Sequence, residues 1–290
     1  MSRILVTGIN SPLGQAVGRK LQAKGHIVVG TVRSSKLNTR GLPANELIAL
    51  DLDNDKSFLN ITGGFDSFVH VASANEGSAE SLLKVTGLGI LYLIERAKHL
   101  DIRCLIHISS MSIHGRIISE VVDENTKVTH SLPVGAAKWA AECFIANERG
   151  SLEAVSIRSP AIAGAHASRH FLAKIYLSMR SGRDKISVSN PNHLFNNIVH
   201  EEILTQFVDS LLDAKSIPEY RAVPIGSTNP IPLHQIIEIM AKATNYKGQI
   251  NWVEPKSPPF RIDSTGAIEL GYKPITTLET INRWIHDTKN

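Results

Sequence analysis

Residues Val6-Thr7-Gly8-Ile9-Asn10-Ser11-Pro12-Leu13-Gly14 stand almost at the N-terminus, straight after one short apolar run. Their types and spacing suit phosphate binding. A buried strand, Arg3 to Val6, runs into a tight glycine turn, and a helix, Leu13 to Lys24, opens behind it. Gly8 permits the sharp turn, and Gly14 permits close helix–strand packing. The helix N-terminus then offers free N–H groups and a positive dipole end to a pyrophosphate. Ser11 departs from the pattern, since a glycine is usual at the middle position. The loop predicts a dinucleotide site that includes Gly8, Asn10, Ser11, Pro12, Leu13 and Gly14.

The end of the second strand selects the dinucleotide. An acid there would bind the ribose hydroxyls. This chain has Thr31-Val32-Arg33-Ser34-Ser35-Lys36 instead. Arg33 can hold a 2′-phosphate bidentately, and Ser34 adds a neutral donor. NADP is therefore expected, with NAD the alternative, although a solvated basic loop would read the same way. Asp51 and Leu52 follow the third strand and are candidates to approach the adenine. A turn aspartate would look identical.

These residues need a scaffold. Strand-like runs fall at Arg3–Val6, Ile27–Thr31, Leu47–Leu50, Ser67–Val71, Leu105–Ser109 and Ala154–Arg158. Helical patterns lie near Leu13–Lys24, Ser81–His99 and Gly135–Arg149. Alternation of apolar strands with helices predicts an α/β fold, a Rossmann-type doubly wound parallel sheet covered on both faces. After Arg158 the segments shorten, with helices expected at Phe171–Ser181, Glu201–Ala214, Leu233–Thr244 and Leu278–His286. Pro255–Pro259 reads as a linker or surface loop. The expected division is a dinucleotide-binding domain over 1–165 and a smaller C-terminal substrate-binding lobe over 166–290, some of whose segments return to the main sheet.

The chain has 290 residues, 42% hydrophobic and 20% charged, with a formal net charge of +4. That is long enough for a sizeable core and ordinary for a soluble globule. With no basic run and no basic–aromatic interleaving, nucleic acid is not an expected partner. Cys104 and Cys143 are the only cysteines, and both are expected as buried thiols, which fits a cytoplasmic protein. The first strand leaves no room for a signal peptide, and no apolar stretch is long enough to span a membrane. No His/Cys/Asp cluster has metal-ligand spacing, so no metal is expected.

Further along, Val69-His70-Val71-Ala72 ends the fourth strand. Ile106-His107-Ile108-Ser109-Ser110 ends the fifth and is followed by Ile113-His114-Gly115. Arg158-Ser159-Pro160 leads to Gly164, and Asp263-Ser264 precedes Leu270-Gly271-Tyr272-Lys273-Pro274. In this order, and with Thr7-Gly8…Gly14, they resemble the extended short-chain dehydrogenase/reductases, the NAD-dependent epimerases and dehydratases that act mostly on nucleotide sugars. The resemblance runs over essentially the whole chain. It implies that Val71, Ala72 and Ser73, with Ser159 and Pro160, line the cofactor. It also implies a nucleotide-sugar substrate and a possible homodimer through the helices at 81–99 and 135–149.

Members of that family use a Ser or Thr, a Tyr and a Lys, with an Asn in support. Tyr and Lys are spaced Tyr-x-x-x-Lys, which puts both on one helix face. Carried over, the serine is Ser110 and the lysine Lys138, which would also hold the nicotinamide ribose. The tyrosine position is Val134, which has no proton to move, and the asparagine position is Thr86. His114 and His130 are the candidate substitutes for the missing acid/base, since histidine titrates near neutral pH. His200 lies in a segment resembling part of the family's substrate lobe. Arg158, Arg169, Arg180, Arg183 and Arg261 are candidates for the nucleotide diphosphate, and Phe195-Asn196-Asn197 for sugar or base contacts.

Three functions remain open on this reading. One is an NAD(P)-linked epimerase, dehydratase or reductase of a nucleotide sugar with an altered acid/base. Another is a catalytically degenerate NADP(H)-binding sensor or scaffold. The last is an NADPH-dependent reductase of a small carbonyl compound.

Overall fold

Seven parallel strands form the main sheet of the computed structural model. They are β1 (Arg3–Thr7), β2 (Ile27–Val32), β3 (Glu46–Ala49), β4 (Ser67–His70), β5 (Cys104–Ser110), β6 (Glu153–Ser159) and β7 (Tyr220–Pro224). In space they run β7-β6-β5-β4-β1-β2-β3, and every neighbouring pair is parallel. The structure describes residues 1–34, 39–129, 131–148, 152–214, 217, 220–255 and 258–288. The expectations attached to Ser35, Lys36, His130 and Arg149 lie outside the described residues.

Strand periodicity explains the layers. Ile4 and Val6 of β1 face one side, where they meet Val17 and Leu21 of α1 (Pro12–Ala23). Leu5 faces the other side, among Phe68, Ile90 and Leu93. Both faces are thus covered, and strands buried on both faces read as near-continuous apolar runs. On the second face lie α2 (Ala79–Leu82), α3 (Gly89–His99) and α4 (Pro133–Ala146). The single helix expected from Ser81 to His99 is α2 and α3 joined by a π-helical stretch, Leu83–Leu88. Cys143 is half-buried rather than buried. The buried stripe of α4 is Lys138, Ala141, Glu142 and Ile145, and Cys143 falls beside that stripe.

The remaining helices are α5 (Phe171–Arg180), α6 (Glu201–Asp213), α7 (Leu233–Thr244), α8 (Thr265–Glu269) and α9 (Thr277–Asp287). Helix α6 returns to the main sheet, where Leu204 and Phe207 join the first core. A separate core holds Leu172, Tyr176, Ile236, Met240 and Trp284. The sequence pattern placed no strand after Arg158, yet β7 is there and extends the main sheet beside β6. Its Arg221 is half-buried and paired with Glu124, which interrupts the apolar run that would have marked a strand.

The chain reverses its direction of sheet growth between β1 and β4, where Thr7 lies opposite His70. Open α/β sheets bind ligands in the crevice at such a switch point. Helix α1 is pressed against the turn there: a Cβ on Gly14 would meet the Gly8 carbonyl oxygen at 2.1 Å. Gly14→Ala is therefore expected to lower stability by about 1–3 kcal/mol, since backbone rather than a flexible side chain must yield. Urea denaturation checks this, and an unchanged midpoint would refute the close approach.

Candidate functional site

The turn after β1 is built for a close neighbour. Gly8 has φ +70°, and a Cβ there would meet Ala72 Cα at 2.9 Å. Ser11, at the place of the middle glycine, is the N-cap of α1. Its Oγ accepts from Gly14 N–H (3.0 Å) and donates to the Gly8 carbonyl (2.8 Å). Pro12 follows and has no N–H to offer. The helix end is thereby largely satisfied from within, and Leu13 keeps a backbone N–H without an acceptor among the described residues. A pyrophosphate at this end would meet one free N–H and the helix dipole.

Thr7 ties β1 to the loop after β4. Its Oγ1 accepts from the N–H groups of Val71 and Ala72, both at 3.2 Å. With both lone pairs used, its proton goes to His70 Nδ1 at 2.9 Å. His70 therefore carries its own proton on Nε2, a buried atom with no partner among the described residues. In the next strands His107 Nδ1 lies 3.1 Å from Ser156 Oγ, which accepts from the Tyr220 hydroxyl at 3.1 Å. Thr7, His70, His107 and Ser156 occupy successive registers of β1, β4, β5 and β6. They form a buried polar row across the sheet.

Lys138 of α4 packs against this row. Its side chain is 6% exposed, and Nζ donates to the Ile108 carbonyl at 3.1 Å. Burial pushes the amine down to about 8, with the Glu142 carboxylate opposing. Burial, and then the Lys138 charge, hold His70 down to about 3. The same causes, together with His70, hold His107 well below the usual range. Both imidazoles are neutral at physiological pH. Glu142, one turn after Lys138, is committed elsewhere. It accepts from Arg158 Nη2 (2.9 Å) and Nε (3.2 Å) and from Ser109 Oγ (2.5 Å).

The other expected residues fall as follows. Ser110 ends β5 and is half-buried, and its Oγ accepts from Ser112 N–H at 3.1 Å. Val134 is half-buried in the first turn of α4, one turn before Lys138. Thr86 lies in the π-helical stretch, where its Oγ1 accepts from Ala74 N–H at 3.1 Å. His114 is 1% exposed, with Nδ1 3.5 Å from the Lys127 carbonyl and a buried Nε2 that has no partner among the described residues. Burial, and then the Arg158 charge, lower its pKa. Arg33 is exposed directly after β2, beside the half-buried Ser34. Asp51 caps its own turn by accepting from Asp53 N–H at 3.2 Å, and Leu52 is buried against Gly89. Ser73 and Pro160 are half-buried, Asn10 is exposed, and Ser159 donates to the Ser109 carbonyl at 2.9 Å.

Two expected ligand contacts are instead internal. The Arg158 guanidinium is consumed by Glu142 and by the Glu124 carbonyl, so it is not available to a diphosphate. Asn196 is 5% exposed and crosslinks Ser227 and Ile262 through its amide, because a buried amide must find partners. His200 is likewise engaged: it caps α6 and lies 2.9 Å from Asp287. Sequence reasoning missed Glu142, and the available signal was a lone acid four residues after Lys138 on an otherwise apolar helix. Among the described residues no cluster could hold a metal, and no helix is long and apolar enough to cross a membrane.

A doubly wound sheet carrying this turn defines a dinucleotide-binding fold. The chain belongs to the NAD dependent epimerase/dehydratase family, whose sequence model matches residues 4–196. It is 18% identical over 325 residues to Protein CapI of Staphylococcus aureus, covering 98% of this chain and 97% of that one. Among solved structures it resembles WbmG of Bordetella bronchiseptica in complex with NAD and UDP. That match has a TM-score of 0.84 at 14% identity, over 99% of this chain and 95% of the other. It also resembles the UDP-glucose 4-epimerase of Thermotoga maritima with UDP-glucose. There the TM-score is 0.79 at 18% identity, over 99% and 98% of the two chains. At these identities the likeness to solved structures is one of fold.

The buried amine sets a pH-dependent stability. Its folded value, about 8, lies below the ordinary 10.5 of an unfolded lysine. The cost of burying the charge is therefore full below pH 8 and is relieved as pH rises from 8 to 10.5. Lys138→Met should stabilise the protein by about 1–3 kcal/mol at pH 7, an advantage that fades above pH 8. Thermal denaturation of both proteins at pH 7 and pH 9.5 checks this, and a variant less stable at both would contradict it.

Proposed function

We propose that this chain binds NADP(H) in the β1–β4 crevice, with a nucleotide sugar beside it, and acts there without the tyrosine of its family. The observation that carries this reading is the Leu13 N–H, which has no acceptor among the described residues and leaves the dipole end of α1 open at the switch point. The turn fits such a ligand because Gly8 and Gly14 leave no room for side chains beneath it. Gly8 to Gly14 would hold the pyrophosphate, and Arg33 with Ser34 the 2′-phosphate. Asp51 and Leu52 would meet the adenine, while Val71, Ala72, Ser73, Ser159 and Pro160 would line the nicotinamide half. Once bound, the nicotinamide would supply hydride exchange.

At the reacting end, Ser110 donates its hydroxyl to the sugar oxygen, and Lys138 directs its remaining N–H groups to the ribose. Residues 1–165 form the dinucleotide domain in this reading, and 166–290, apart from the segments that return to the main sheet, cover the sugar. NAD- and UDP-containing complexes of family-like folds support the ligand classes. The absence of an acid after β2 supports NADP over NAD. Trp139 of α4 and Leu83 of the π-helical stretch, 37% and 46% exposed, support pairing of two copies through that face. A second reading, an NADP(H) sensor or scaffold, is favoured by Val134 and Thr86.

Titration with NADPH and NADH, followed by cofactor fluorescence, tests the reading. NADPH should bind at least tenfold tighter, and Arg33→Ala should remove about that factor, the size expected for a charged phosphate contact. Equal affinities in the wild type would reject Arg33 as the phosphate reader. Binding of neither would sink the dinucleotide reading.

A further inference from the structure

A cleft of about 700 Å³ opens between the flank of α1, the start of α6 and the end of α9. That volume is ordinary for a small-molecule site. Arg19 and Lys20 of α1 line one wall, two turns past the Ser11 cap. Arg19 is exposed and Lys20 half-buried, and neither makes a hydrogen bond or ion pair among the described residues. The floor comes from α6 and α9. His200 accepts from Glu202 N–H through Nδ1, and its Nε2 lies 2.9 Å from Asp287, so both ring nitrogens are engaged. Arg283 is held by Glu202 and Glu279, and His286 lies 3.8 Å from Asp287. Glu201 differs. It is half-buried, and its carboxylate has no hydrogen bond or ion pair among the described residues. It packs on Gly164, where a Cβ would collide with the carboxyl group. Burial raises its pKa, and His200 and Arg19 oppose that shift. A carboxylate withdrawn from water without a partner is costly, so a cation placed beside it is favoured.

We propose that this cleft binds a small molecule carrying one ammonium and two negative charges, the charge pattern of an acidic amino acid or an amino-sugar phosphate. Its anionic end meets Arg19 and Lys20, and its ammonium meets Glu201. The lining selects this pattern, because among the described residues two cations and one carboxylate of the cleft are left without an ion pair. A plain phosphate or dicarboxylate would match the cations and press its charge toward Glu201. A plain amine would match Glu201 and face two unscreened cations. A metal ion meets the same repulsion, and among the described residues no cluster could hold one. The guanidinium of Arg19 can grip a carboxylate or phosphate through two parallel bonds, and Lys20 adds a point charge. The geometry is firm, since α1 and α6 pack through Val17, Leu21, Leu204 and Phe207. The cleft is independent of the dinucleotide reading. None of residues 8–14 lines it, and it lies on the side of α1 rather than at its N-terminus.

Isothermal titration of the wild-type protein with L-glutamate and with D-glucosamine 6-phosphate tests the proposal and separates the two sources. At least one should bind with a Kd below about 1 mM. The matching compound without the amine, glutarate or glucose 6-phosphate, should bind at least about tenfold more weakly, because Glu201 is then left unpaired. Arg19→Ala and Glu201→Gln should each weaken the bound probe by about the same factor. The comparison of probes needs no variant, so it stands even if Glu201→Gln fails to fold. Binding of neither probe below that limit would overturn the proposal. Equal binding of the amine-free compounds would also overturn it, leaving an anion site only. Competitive displacement of the probe by NADPH would place it in the β1–β4 crevice and reject this cleft. If NADPH fails to bind while a probe binds with the expected pattern, the cofactor reading falls and this site is upheld.

Discussion

The buried carboxylate of Glu142 is the constraint on which the site depends. A charge taken out of water must be matched at once, and breaking such a pair costs far more than the pair contributes. Arg158 from β6 and Ser109 from β5 supply the match. Helix α4 is thereby fixed in rotation and height against those strands. Lys138, one turn earlier on the same stripe, is placed with it: its amine reaches the Ile108 carbonyl, and its charge acts on both histidines. The same Arg158 reaches the Glu124 carbonyl, and Arg221 of β7 grips the Glu124 carboxylate. One interior ion pair thus aligns α4, the end of the sheet and the returning C-terminal chain.

The opposite side of the crevice is governed by backbone. Gly8 and Gly14 exclude side chains so that strand, turn and helix can touch. Ser11 then does internally what a bound phosphate does in a glycine-only turn, by satisfying Gly14 N–H. The helix end remains positive, but its free donors are fewer. Affinity for a dinucleotide would then lean on contacts elsewhere, and the exposed Arg33 is suitably placed at the end of β2.

A valine at position 134, one turn before Lys138, changes what the lysine has beside it. Beside a phenol, an ammonium lowers the phenol's pKa and need not titrate itself. Beside a valine, the ammonium has no partner to activate and loses hydration besides. Burial alone then brings its titration toward neutral pH. The Glu142 carboxylate opposes that shift without restoring the ordinary value.

Much of this was legible in the sequence. The six strands through Arg158 and the main helices follow from apolar runs and helical patterns, because these patterns are local. The glycine turn was legible for the same reason: Gly8 and Gly14 report a backbone requirement directly. The seventh strand was not, since Arg221 hides it until Glu124, far away in the chain, supplies a partner. Arg158 and Asn196 looked like ligand contacts because a basic or amide side chain carries no mark of what it will meet. Only folding brought Glu142 to the first and Ser227 with Ile262 to the second. The sequence by itself determined the six strands through Arg158, the glycine turn and the absence of a tyrosine at position 134. Tertiary structure alone decided which polar groups are spent inside the protein and that the Lys138 amine is buried, because desolvation and pairing depend on neighbours that are distant in sequence.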